Sequence, residues 1–283
     1  MKAVYAGERG SFAELAAREY FGAECRLEQV ALFDDVFVAV KSEQATFGIV
    51  PIENTRGGSV HRNYDLLLEH GIAIVGELTL KIGQYLIANR GTKLANIREV
   101  WSHPQALSQC RSYLGRHRRM EPVETVNTAL AVKLIRDEGA TDKAAIASMQ
   151  AAIDFDMSVL AENIQDDKNN MTRFLVLSRR AHRSRTDDGP VKTSIVFSIK
   201  NIPGALFKAL SVFSLRDIDL FKIESRPMFG QGFQYMFYLD FKGAATAKEP
   251  RNALNHLREM TTFYRLLGSY PVGRQVIPQY RKR

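Results

Sequence analysis

The chain has little cysteine: Cys25 and Cys110 are the only two among 283 residues. Thiols so far apart, with no paired spacing, exclude a zinc ribbon or a redox motif, and both are expected to be reduced. Long apolar runs are missing too, and none approaches the roughly 20 residues that a membrane-spanning helix needs. Met1 leads directly into Val4 and Tyr5 with no long apolar signal region, so the sequence reads as that of a cytoplasmic protein with no membrane partner. There is no glycine-rich phosphate loop followed by Lys, no metal-ligand spacing and no Ser-His-Asp order, which leaves those chemistries without a signature.

What is present is an ordinary globular balance of 45% apolar and 25% charged residues, on a chain long enough for two domains. The formal net charge is +8, and the excess sits largely in Arg179, Arg180, Arg183, Arg185 and the run Arg281-Lys282-Arg283. No nucleic-acid motif accompanies it. These residues read as a solvated linker and tail, compatible with a small anionic substrate and with no nucleic-acid partner.

From Lys2 to about Ser178, short apolar strands alternate with helical stretches, the pattern of an α/β domain. Strands are expected at Ala3 to Ala6, Thr46 to Pro51, Ile72 to Leu78, Tyr85 to Ala88, Ala144 to Ala147 and Phe174 to Leu177. Helical periods run through Phe33, Val36, Phe37 and Val40, and through Ala129, Val132, Leu134 and Ile135. The polar stretch Arg179 to Pro190 reads as a linker. Beyond it Ile195, Phe197 and Ile199 alternate as a strand, and Pro203-Gly204 opens a helix. A strand near Phe221 to Ser225, a turn at Gly230-Gln231-Gly232 into Phe233 to Leu239, a helix from about Arg251 and a last strand, Tyr264 to Leu267, follow. The order β-α-β-β-α-β over about eighty residues predicts a ferredoxin-like module. No repeat or low-complexity segment interrupts this organisation.

Four polar clusters adjoin apolar strands. In Gly7-Glu8-Arg9-Gly10-Ser11-Phe12, Ser11 is placed to cap a helix whose free amides can bind an anion. The segment Pro51-Ile52-Glu53-Asn54-Thr55-Arg56-Gly57-Gly58-Ser59-Val60 crowds a carboxylate, an amide, hydroxyls and a guanidinium onto a glycine-rich loop after a strand, where α/β ligand sites lie. In Trp101-Ser102-His103-Pro104-Gln105, Ser102 is placed to cap the helix that Pro104 helps to start. His103 there is either a base or a structural residue, and Gln105 and Gln109 share one helix face. Cys110 reads as a small buried apolar side chain. The fourth cluster, Asn169-Asn170-Met171-Thr172-Arg173-Phe174, puts a hydroxyl beside a guanidinium at a strand start. A carboxylate gripped by Arg173 can then meet a hydrogen bond from Thr172. This is equipment for orienting a small acid and protonating or stabilising a leaving oxygen.

Taken in this order, the segments resemble the prephenate dehydratase family over nearly the whole chain. The pieces that match are Gly10-Ser11-Phe12, Val50 to Thr55 with Gly58 and Val60, Ser102 to Gln105 with Gln109-Cys110, Ala144 to Ser148, and Asn170 to Phe174. The second domain resembles an amino-acid-sensing ACT domain through Pro203-Gly204-Ala205-Leu206, Ala209-Leu210 and Lys222 to Pro227. The resemblance implies a two-lobed α/β catalytic domain of type II periplasmic-binding-protein architecture over residues 1–180. It further implies a linker over 181–191, an ACT domain over 192–272 and a basic tail over 273–283.

The implied reaction takes prephenate to phenylpyruvate, water and carbon dioxide in phenylalanine biosynthesis, with neither metal nor organic cofactor required. Thr172 is implied as the essential hydroxyl, Arg173 as carboxylate anchor, and Asn54, Ser102 and Gln109 as a hydrogen-bonding cradle that Glu53 positions or tunes. Ser11, Thr55, Thr128 and Phe174 are implied as further substrate contacts. Phenylalanine would bind as effector at Gly204, Ala205, Leu206, Glu224, Ser225, Arg226 and Pro227, at an interface between two ACT domains, which implies a homodimer or homotetramer. The chain departs from the family pattern at Gln84, where many members carry His, and at Asn127, where they often carry Ser. An arogenate dehydratase and a non-catalytic two-lobed binding protein remain the alternatives.

Overall fold

The computed structural model describes residues 1–180, 189–227 and 234–281. The expected turn at Gly230-Gln231-Gly232 and most of the expected linker lie outside the described residues. The chain begins with β1 (Lys2–Ala6), α1 (Phe12–Phe21), β2 (Arg26–Val30), α2 (Phe33–Lys41), β3 (Phe47–Asn54) and β4 (Gly58–Ser59). It continues with α3 (His61–His70), β5 (Ala73–Lys81), β6 (Tyr85–Ala88), β7 (Glu99–Ser102), α4 (Pro104–Gln109), α5 (Arg111–Arg116) and β8 (Glu121–Glu124). Then follow α6 (Thr128–Glu138), β9 (Lys143–Ala147), α7 (Met149–Asp154), β10 (Ser158–Ala161) and β11 (Met171–Ser178). The last elements are β12 (Val191–Ile199), α8 (Ala205–Ser214), β13 (Leu220–Pro227), β14 (Tyr235–Lys242), α9 (Lys248–Met260), β15 (Thr261–Pro271) and β16 (Gln275–Val276).

These elements form two compact units, one of Met1–His70, Leu78–Val176 and Arg274–Arg283, the other of Gly71–Glu77 and Leu177–Gly273. The first contains two lobes. One is built on the sheet ordered β16-β5-β11-β3-β1-β2, with β4 paired to β3; the other is built on the sheet β10-β6-β9-β7-β8. Strands such as β1 and β9 are buried almost throughout, because parallel pairing with covered faces demands continuous apolar runs. Helices start where their caps dictate. Ser11 accepts the Glu14 N–H and Glu14 accepts the Gly10 N–H, while Asn127 Oδ1 accepts the Leu130 N–H and opens α6.

The second unit has the order β12-α8-β13-β14-α9-β15 and the antiparallel sheet β13-β14-β12-β15, the expected ferredoxin-like fold. Its core gathers Phe197, Phe213, Leu239 and Phe241 against Leu254 and Leu257 of α9. Lys192 and Glu77 are buried here and meet at 2.6 Å, and the Gly273 N–H donates to the same Glu77 oxygen at 3.0 Å. Gly268 in β15 is required by space: a Cβ there would lie 2.0 Å from the Ile74 carbonyl oxygen.

One expectation is corrected. Residues 274–280 are part of the fold rather than of a tail, because β16 pairs in parallel with β5, Gln275 opposite Thr79 and Val276 opposite Leu80, while Arg281 is exposed and Lys282 and Arg283 lie outside the described residues. The Gln279 N–H then donates to Glu19, and Arg281 exchanges hydrogen bonds with Gln150. The reason is that β5 would otherwise present an open sheet edge, and the basic residues are interleaved with Val276, Pro278 and Tyr280, which can pack.

Candidate active site

A cavity of about 300 Å³ lies in the first unit, lined from both of its lobes. Phe12 and Phe33, the first residues of α1 and α2, come from one lobe; His103 and Thr128, at the starts of α4 and α6, come from the other. Four helix N-termini thus bring their positive ends to one space. Asn54, Ile82, Gln84, Gln105, Gln109, Asn127 and Thr172 supply most of the remaining wall, and none of the lining residues is Lys, Arg, Asp or Glu.

The directions of the hydrogen bonds follow from the backbone outwards. The amides of Arg56 and Gly57 donate to one terminus of the Asn54 side chain, at 2.9 and 2.8 Å, and this terminus is therefore the carbonyl Oδ1. Its Nδ2 then faces three acceptors: Asn170 Oδ1 at 2.8 Å, the Met171 carbonyl at 2.9 Å and Thr172 Oγ1 at 2.9 Å. Asn170, oriented by that bond, donates to Gln109 Oε1 at 2.8 Å, and Gln109 Nε2 returns to Asn54 Oδ1 at 3.3 Å. Three nearly buried carboxamides from β3, α4 and the approach to β11 close a ring. Gln84 Nε2 sits 3.5 Å from Gln109 Oε1, at the limit of a hydrogen bond, and its own Oε1 has no partner among the described residues.

This network sets the state of Thr172. Its oxygen already accepts from Asn54, so its O–H is left to donate into the cavity, and a hydroxyl that accepts one hydrogen bond is polarised to donate a stronger one. At the rim a Cβ on Gly57 would lie 1.7 Å from Gln105 Nε2, so a larger residue there would push the Gln105 side chain aside. His103 is kept neutral: burial pushes its pKa below the usual imidazole range, outweighing the nearby Glu124 carboxylate. Burial pushes the Cys110 thiol up to about 12, with Asp166 adding to it, and Cys110 belongs to the core of the second lobe.

The prephenate dehydratase family model matches residues 3–182. The chain belongs to the prephenate dehydratase family. Arogenate dehydratase 2 of Petunia hybrida is 44% identical to it over 96% of this chain and 72% of that protein. A crystal structure of prephenate dehydratase in complex with L-Phe, from Arthrobacter aurescens, matches with a TM-score of 0.87 at 29% identity, covering 95% of this chain and 90% of the other. A structure described as GqqA, a novel type of quorum quenching acylases, matches with the same score and identity over 96% and 98%.

Of the residues that family resemblance singles out, the structure brings Asn54, Gln109, Thr128 and Thr172 to the cavity wall. It does not bring Arg173 there. The strand begins at Met171 rather than Phe174, so Thr172 and Arg173 point to opposite faces, and Arg173 meets Glu53, also absent from the cavity wall, at 3.3 Å. The neighbouring strands β3 and β11 thus carry two cross-strand pairs, Asn54 with Thr172 on one face and Glu53 with Arg173 on the other. Ser102 does not cap α4, since its fully buried hydroxyl donates to the Ile146 carbonyl and the cap is His103. Ser11 and Phe174 are buried as helix cap and core, and Thr55 ties β3 to β11 by accepting the Met171 N–H. Sequence reasoning left out Asn170 as an individual site residue, and it took Gln105 only as one of two glutamines, with Gln109, able to point into the cleft. The signal for Asn170 was a carboxamide two residues before Thr172.

In the second unit, Gly204, Ala205 and Leu206 line a separate cavity of about 300 Å³ together with Ile199, Asn201 and Tyr235. Glu224 to Pro227 do not line it; they lie on the sheet-edge strand β13, where Lys222 and Glu224 meet at 3.5 Å.

Proposed function

We propose that the protein is a carbon-oxygen lyase that converts prephenate to phenylpyruvate, water and carbon dioxide. The observation that carries the reading is the Thr172 hydroxyl, which lines a cavity ringed by helix N-termini and accepts from Asn54, so that its own hydrogen is left to donate. Prephenate brings two carboxylates and a ring hydroxyl. Without formal positive charge in the wall, its carboxylates are held by helix N-termini and carboxamide N–H groups, which suits a reaction in which one carboxylate must depart uncharged. The electron pair of the C–CO2 bond enters the ring, the C–O bond breaks with its pair on oxygen, and the leaving oxygen becomes water with one proton taken up from solvent. Aromatisation drives the step; the cavity aligns the ring and donates a hydrogen bond to the departing oxygen.

The test adds prephenate and follows phenylpyruvate by its absorbance in alkali. Thr172→Ala is expected to lower kcat at least about a hundredfold, with Thr172→Ser largely restoring it; near-normal turnover by the alanine variant sinks the assignment. The 44% identity to an arogenate dehydratase supports a second reading, the same chemistry on the amino analogue, which comparison of kcat/KM on both substrates decides. The acylase chemistry named for GqqA is not adopted, because the neighbour of the Thr172 oxygen is an amide donor rather than a base.

Phenylalanine is proposed as the effector at the Gly204-Ala205-Leu206 cavity, in a homo-oligomer, supported by the L-Phe complex of the Arthrobacter relative. A cytoplasmic setting belongs to the same proposal; both cysteines are free and buried, and no helix among the described residues is long and apolar enough to cross a membrane.

A further inference from the structure

His103 lines the cavity and has no part in the scheme above. One edge of its ring is fixed. As the N-cap of α4 it accepts the Gln105 N–H on Nδ1 at 3.2 Å. A nitrogen that accepts carries no hydrogen, so in the neutral ring the proton sits on Nε2. Protonating Nδ1 would set one N–H against another and break the cap. Burial disfavours the cation as well, and Glu124, the one carboxylate acting on the ring, does not overcome it. Nε2 has no hydrogen-bond partner among the described residues. A ring in this state cannot act as a base, because its single lone pair is spent on the cap; what it offers the cavity is an N–H.

Thr172 lines the same cavity as His103. Next along the chain from His103 and Pro104, Gln105 places Nε2 at 3.5 Å from Asn54 Oδ1, and Asn54 Nδ2 is 2.9 Å from Thr172 Oγ1. Resting on the dehydratase reading, we propose that His103 is a second fixed donor to the departing ring oxygen, acting through Nε2–H as a neutral imidazole beside the Thr172 hydroxyl. As the C–O bond breaks, its electron pair collects on that oxygen, and both hydrogen bonds strengthen with the growing charge. The Nε2 proton stays on the ring, since Nδ1 faces a donor and cannot take up a replacement. The proton that completes water comes from solvent.

The test pairs kinetics with a readout that needs no turnover. In His103→Asn the shorter amide still caps α4 but no longer carries an N–H to the reach of Nε2. Its kcat is expected to fall about ten- to a hundredfold on whichever substrate the wild type uses, with KM changed less than about threefold and the melting temperature kept. Long-range proton-nitrogen NMR of the wild type is expected to show a protonated Nε2 and a bare Nδ1 for His103 at pH 7. A rise in KM with kcat unchanged, an unaffected variant, or an Nδ1–H or doubly protonated ring at pH 7 overturns the assignment. A wild type inactive on both prephenate and arogenate brings down the dehydratase reading instead, and with it the role on the leaving oxygen. The NMR result then still decides whether the ring is locked.

Discussion

The backbone amides of Arg56 and Gly57 decide which way the Asn54 carboxamide faces, and every later hydrogen-bond direction in the cavity, out to the Thr172 hydroxyl, follows from that choice. A carboxamide ring of this kind holds its geometry without charge, so nothing in it titrates. His103 is the one wall residue that does, and its behaviour with pH follows from its burial. The unfolded imidazole takes up a proton near its ordinary value of about 6.5, the folded one only at lower pH, so between the two the unfolded state binds more protons. Stability contributed by the neutral cap is therefore complete above about pH 6.5 and declines as the pH falls through the window below it. Thermal melts from pH 7.5 to 5 should show a steeper loss of melting temperature for the wild type than for His103→Asn. Parallel curves would show that His103 does not titrate differently on folding.

At the scale of elements, the buried Lys192–Glu77 contact fastens the start of β12 to β5 within the second unit, with Lys192 Nζ also 4.7 Å from the Phe221 ring. Lys192→Met should destabilise the protein by about 3–5 kcal/mol, because it leaves a buried carboxylate without its ammonium. The double change Lys192→Met with Glu77→Gln should cost clearly less. Denaturant unfolding of the three variants measures this, and equal costs would argue against the pairing.

Which elements could be read from the sequence depended on the same physics. The strands β1, β6 and β9 announce themselves because they are buried on both faces, whereas β2 (Arg26-Leu27-Glu28-Gln29-Val30) and β8 (Glu121-Pro122-Val123-Glu124) are mostly solvent-facing edge strands with no periodicity to find. Asn54, Gln109 and Thr172 were legible one by one as polar residues that the fold gathers on one cavity wall. The place of Arg173 outside the cavity wall was not legible, because it turned on a strand beginning three residues early and side chains alternating across it, which pairs Arg173 with Glu53. The role of Ser102 was hidden because a buried hydroxyl satisfied by the Ile146 carbonyl looks, in sequence, the same as one aimed at a ligand.

For the whole molecule, the functional reading requires the two units to act together, since the proposed effector cavity belongs to one and the reaction cavity to the other. Millimolar phenylalanine is expected to lower turnover, and Leu206→Arg, which puts a charged side chain into the effector cavity, to abolish that response with basal turnover kept. A response unaltered in the variant would move the effector site elsewhere. Light scattering with and without phenylalanine gives the oligomeric state directly. The pairing of β16 with β5 also has a kinetic consequence. Gln275 meets Thr79, so the first unit's sheet waits for a strand synthesised after all of the second unit. Closing so long a loop is slow, and a nascent chain emerging from the ribosome carries the edge of β5 unfinished while the ferredoxin-like unit is already complete in sequence. Folding is thus expected to be ordered, with the ferredoxin-like unit first and the first unit closing last.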